Sequence, residues 1–183
     1  TSTGVPRADQ LEFFDNAAYA SLFAESVARL TALGGTPVEV DIAPLLETAR
    51  LLYEGPWVAE RYLATEKLSA RQPEAMLPVT RQIIEGGAKP LALDAFRAQY
   101  RLKELVRRAA PIWEGVEVLV LPTAGTHYRI AEVEADPIRL NSNLGRYTNF
   151  VNLMDLAAVA VPAGFTAAKL PFGISLIAPA WSD

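Results

Sequence analysis

The side chains able to do chemistry in this chain are few and scattered. There is one histidine, His127, and no cysteine. That excludes a disulfide framework, a thiolate metal site and a cysteine nucleophile. A Ser-His-Asp relay would have to form around His127, which sits beside Tyr128 and Arg129 and reads as a surface histidine. One histidine among dispersed acids offers no metal-ligand spacing, and the glycine pairs fit no phosphate-loop pattern. The sequence therefore implies neither a cofactor nor a metal. Its densest chemistry is cationic. Between Leu91 and Trp113, a helical turn of 100° per residue puts Ala98, Leu102, Leu105, Val106, Ala109 and Trp113 on one face. Tyr100, Glu104, Arg107 and Arg108 fall on the other. A guanidinium can hold a carboxylate through paired charge-assisted hydrogen bonds, with a phenol as a third contact. The alternative is a solvated basic face that balances Glu104 and the helix's negative end.

The elements that must position these groups alternate. Asn16 to Leu33 has apolar residues at helical spacing and is stopped by Gly34-Gly35. Thr36 to Ile42 alternates as a strand. Pro44 opens a helical stretch from Leu45 to about Leu68, which Gly55-Pro56 should bend or break. Residues 69–90 are punctuated by Pro73, Pro78 and Gly86-Gly87, predicting one short helix between loops in a peripheral helical region. Val116 to Leu121 reads as a buried strand, followed by an irregular loop to Pro137 and a helix from Asn141 to Met154. Leu156 to Val161 and Phe172 to Ile177 are two further apolar strands. Apolar strands interleaved with amphipathic helices predict an α/β fold, a mixed β-sheet flanked by helices on both faces.

The formal charge of −4, with basic residues dispersed among acidic ones, argues against nucleic-acid or anionic-membrane partners. No signal peptide is visible, and the apolar run from Leu156 to Pro162 is far short of a bilayer span. A soluble cytoplasmic protein is the default. Strand patterns at both ends suggest that 1–183 is a truncated part of a larger domain, because two open sheet edges are normally covered.

The stretch from Tyr147 to Phe165, with Thr148, Asn152-Leu153 and Val161-Pro162-Ala163-Gly164-Phe165, resembles the second half of amidase-signature enzymes. Leu170-Pro171-Phe172-Gly173 and Leu176-Ile177-Ala178-Pro179 continue the pattern. Within that family, the resemblance narrows to allophanate hydrolases. It rests on Gly4-Val5-Pro6 with Leu11-Glu12-Phe13-Phe14, on Leu51 to Tyr62, and on Ile130 to Ser142. Asp155 stands where general amidases more often have glycine, and Thr123 to Tyr128 departs from the family's Pro-Thr-x-Pro-Thr loop.

The resemblance implies an amidohydrolase that releases ammonia from allophanate in urea or cyanuric acid catabolism. Such enzymes use a serine nucleophile, a second serine in a cis peptide and a lysine base. Here no two serines are adjacent, and Lys67, Lys89, Lys103 and Lys169 match no motif. The catalytic centre is expected in polypeptide that precedes this region, leaving the chain inactive alone. The resemblance also implies a tyrosine and an arginine eight residues apart near the substrate carboxylate, a spacing that Tyr100 and Arg108 satisfy. It further implies a partner in the N-terminal half of the amidase domain and association as a homodimer. A fragment of another amidase-signature hydrolase, acting on neutral amides, and a non-catalytic binding or assembly module are the alternatives.

Overall fold

The computed structural model describes residues 1–182. Its strands are β1 (Ser2–Pro6), β2 (Thr36–Val40), β3 (Val118–Pro122), β4 (Leu156–Phe165) and β5 (Pro171–Pro179). They form one sheet in the order β2-β1-β3-β5-β4. β1 runs parallel to β2 and β3, whereas β3–β5 and β5–β4 are antiparallel. The mixed sheet expected from the sequence is thus present.

Central β3 explains why its segment is uniformly apolar: successive side chains enter opposite cores, so every position needs a hydrophobe. Leu119 and Leu121 join the core under α2 (Ala43–Glu54), α5 (Ala92–Gly115) and α8 (Asn149–Leu153). Val120 points the other way, packing with Tyr19 and Phe23 of α1 (Ala17–Ala32). Helices therefore cover both faces. Asn16 starts α1 by accepting the Tyr19 N–H on its side-chain oxygen, which satisfies one orphan donor of the first turn. Gly34, at φ +97°, turns the chain away at the other end.

The long helical stretch after Pro44 breaks where predicted, into α2 and α3 (Trp57–Arg71) on either side of Gly55-Pro56. Residues 69–90 hold α4 (Pro78–Glu85) between two 3-10 turns. Gly87 seats this hairpin on α3, for a Cβ there would lie 2.4 Å from the Val58 carbonyl oxygen.

Two expectations are corrected. The loop before Pro137 contains α6 (Ile130–Ala135), because the Glu132 carboxylate accepts the Arg129 N–H at 2.6 Å and fixes the first turn. The helix read from Asn141 to Met154 is two: α7 (Pro137–Leu144) starts on a proline, and Gly145 separates it from α8. In the gap, Tyr147 is fully buried, and its hydroxyl accepts the Glu12 N–H at 2.6 Å and donates to the Glu12 carbonyl at 3.0 Å. No helix among the described residues is long and apolar enough to cross a membrane.

Candidate substrate cleft

The break between α2 and α3 creates the most informative contact in the molecule. Gly55 leaves α2 in an extended conformation, and a Cβ there would sit 2.5 Å from the Leu51 carbonyl oxygen. Pro56 then starts α3. The redirected chain carries the Arg61 guanidinium over the Tyr53 ring, 4.8 Å from its centroid, within cation–π range.

Both residues line a cleft of about 1340 Å³ between the α2–α5 helices and the α7–α8 segment. Val79, Ile83 and Ile84 of α4 give it an apolar wall, while Asn141, Ser142 and Asn149 face it from α7 and α8. An apolar hollow with a few convergent polar groups is the usual form of a small-molecule site.

Charge within the cleft is unevenly satisfied. Arg97 pairs with Asp94 at 3.8 Å, and Arg101 pairs with Glu47 and with Glu104. Hydrogen bonding from Arg101, helped by Arg108, holds the Glu47 carboxyl below the ordinary glutamate range. Among the described residues Arg61 and Lys89 line the cleft without an ion pair, as does Glu54. Arg61, with one face already on an aromatic ring, is the cation best placed to meet an anionic ligand.

Tyr100 and Arg108 lie elsewhere. Tyr100 is 67% exposed, on a solvent-facing stripe of α5 with Leu93 and Phe96. Arg108 reaches Glu47 at 3.1 Å and helps to staple α5 to α2. Neither borders the cleft. On one unbroken helix, eight residues separate two side chains by about 12 Å and about 80°, so α5 does not converge them. Tyr53 and Arg61 have the same spacing, and both fall in the segment Leu51–Tyr62. The signal for them was the Gly55-Pro56 break between them.

His127 is exposed, its ring 5.3 Å from that of Tyr19. A smaller hollow of about 650 Å³ is bordered by Glu12, Asp15, Glu132 and Asp136, with Arg139 held by Asp136. No group of three or more His, Cys, Asp or Glu among the described residues could hold a metal ion.

The Amidase family model matches residues 3–183. The urea amidolyase of Saccharomyces cerevisiae is 43% identical over 164 residues, covering 88% of this chain and 9% of that protein. The allophanate hydrolase of Kluyveromyces lactis superposes with a TM-score of 0.93 at 40% identity, over 99% of this chain and 30% of its own. The urea amidolyase of the same yeast gives 0.93 at 40% identity over 11% of its length. The chain thus spans under a tenth of the urea amidolyases it matches and under a third of the solved hydrolase.

Proposed function

The chain belongs to the amidase family, and from that premise we propose that it forms the carboxylate-binding wall of an allophanate hydrolase. The reaction is hydrolysis of urea-1-carboxylate: water adds across the terminal amide, ammonia leaves, and the remaining dicarboxylated nitrogen compound loses CO2. The observation that carries this reading is the Arg61 guanidinium, without an ion pair among the described residues and stacked on Tyr53 at the edge of the cleft. A carboxylate next to the scissile amide distinguishes this substrate from a neutral amide, and a planar cation answers that difference. Similarity to urea amidolyase and allophanate hydrolase supports the same substrate class.

The nucleophile, its partner serine and the lysine base would come from the N-terminal half of the amidase domain. The edge strand β4 suits such a partner. It is ten residues long, carries no charge, and among the described residues pairs only with β5. Ala158, Val159 and Ala160 are successively exposed, so neither face of the strand is covered there. A soluble protein seldom leaves such an edge open. Two copies would associate through the Leu93–Phe96–Tyr100 stripe, and the enzyme would work in the cytoplasm on a small-molecule substrate without a cofactor.

Tyr100 and Arg108 are the second reading of the carboxylate clamp, favoured by the same eight-residue spacing. Paired variants of the complete enzyme separate the two. Loss of a charge-assisted contact in a half-open cleft costs about 1.5–2 kcal/mol, so Arg61→Ala should raise KM for allophanate roughly 10- to 30-fold. Hydrolysis of a neutral amide should change little. If Arg108→Ala has that effect and Arg61→Ala does not, the clamp is on α5. Equal losses on both amides in the Arg61 variant would remove carboxylate recognition from this cleft.

A further inference from the structure

The part of the cleft lining that α7 and α8 supply is uncharged, and its polar groups differ in how far they are already engaged. Asn141 donates its amide hydrogen to the Pro137 carbonyl at 2.6 Å, and the Ser142 hydroxyl donates to the Ile138 carbonyl at 2.8 Å. Asn149 lines the same wall, half-buried, and among the described residues its carboxamide makes no hydrogen bond. It is nevertheless held in place. A Cβ on Gly145 would lie 2.5 Å from its Nδ2, 2.7 Å from its Oδ1 and 2.8 Å from its Cγ. Gly145 has an ordinary φ of −84°, so the glycine is there for room rather than for backbone freedom. That room is taken up by the flat amide of Asn149.

We propose that Asn149 is the specificity-determining residue for the ureide end of the ligand, its carboxamide pairing with the terminal N–H and carbonyl. The inference rests on the reading of the cleft above, in which Arg61 takes the carboxylate. A primary carboxamide presents a donor and an acceptor side by side, and the terminal edge of a urea presents the complementary pair. A ligand with a methyl in place of the terminal amine offers no donor, leaving the Asn149 oxygen desolvated and unpaired. Sites built to hydrogen-bond a group discriminate against analogues that lack it for this reason.

Calorimetric titration of the 183-residue chain with two stable probes tests the assignment. N-carbamoylglycine carries both a carboxylate and a urea edge, whereas N-acetylglycine keeps the carboxylate and replaces the terminal amine by methyl. The chain should prefer the carbamoyl probe roughly tenfold, the equivalent of one net hydrogen bond. Asn149→Ala should bring the ratio close to one. Gly145→Ala, which displaces a flexible amide rather than the backbone, should do the same, and it keeps the test open if the Asn149 variant fails to fold. Arg61→Ala should weaken both probes equally. Persistence of the preference in folded Asn149→Ala or Gly145→Ala protein overturns the role of Asn149 while the carboxylate clamp stands. Indifference of both probes to Arg61→Ala, with the ratio still set by Asn149, removes the clamp alone. A wild-type chain that binds neither probe overturns both.

Discussion

Removing one oxygen atom from Tyr147 should measurably loosen the molecule. The residue sits between α7 and α8, fully buried. Its hydroxyl is bonded twice to the main chain of Glu12, at 2.6 Å and 3.0 Å, across 135 residues of sequence. Tyr147→Phe keeps the ring packed and strips the Glu12 N–H and carbonyl of their partner. A buried polar group left unpaired costs about 1–3 kcal/mol. Glu12 itself is exposed, so water can rescue part of the loss, and about 1–2 kcal/mol is the better figure. For a chain of this size each kcal/mol moves Tm by about 2–4 °C, giving a fall of roughly 2–8 °C in a thermal melt at neutral pH. Tyr128→Phe is the control: its hydroxyl accepts a single bond, from the Asn143 amide at 2.8 Å, and the fall should be smaller. Burial also pushes the Tyr147 phenol above the ordinary tyrosine range. A raised folded-state value means stability that is complete below about pH 10 and lost as pH rises further. The wild type should therefore lose Tm more steeply above about pH 10 than Tyr147→Phe, which lacks this ionisation. Burial raises the Tyr19 phenol too, and that contribution is common to both proteins. A variant melting within about 1 °C of wild type at neutral pH, with the same alkaline slope, would show that the double bond to Glu12 contributes nothing net.

The Glu47 carboxyl is held low, first by its hydrogen bond from Arg101 and then by Arg108. Its contribution is present above the ordinary glutamate value and lost as pH falls below it. Glu47→Gln should thus lower Tm at pH 7, with the two melting curves converging below about pH 4; parallel curves in a pH series would refute the link. Gly87→Ala places a methyl 2.4 Å from the Val58 carbonyl and 2.8 Å from the Tyr62 Cβ. It should destabilise by about 1–3 kcal/mol through backbone displacement, and faster hydrogen exchange across residues 78–85 would locate the damage in α4. Unchanged exchange there would place the strain elsewhere.

Most of the fold could be read from the sequence, for reasons visible in particular elements. β3 announced itself because a strand buried on both faces must be apolar throughout, and Val118–Leu121 is. The α2–α3 break followed from Gly55-Pro56. What could not be read depended on partners distant in sequence. The gap between α7 and α8 holds Tyr147, anchored to Glu12 across 135 residues of sequence, a contact that no local pattern contains. The start of α6 was local, Glu132 three residues after Arg129, but the short span of the helix gave too little periodicity to notice.

The candidate site shows where spacing alone fails and what has to be added to it. Two pairs, Tyr53 with Arg61 and Tyr100 with Arg108, satisfy an eight-residue interval. Counting cannot choose between them, and helix geometry favours the first pair. On α5, which runs unbroken from Ala92 to Gly115, the interval amounts to more than two turns, so the two side chains diverge in both height and direction. An interval interrupted by Gly55-Pro56 is free of that constraint, because the second helix starts along a new axis. The ring–guanidinium contact at 4.8 Å is the result. A clamp that needs two side chains on one small anion is therefore more compatible with a helix break than with a continuous helix. The Gly55-Pro56 junction between α2 and α3 does the positioning. Closing the break, by Gly55→Ala with Pro56→Ala, should separate Arg61 from Tyr53 even though both residues remain.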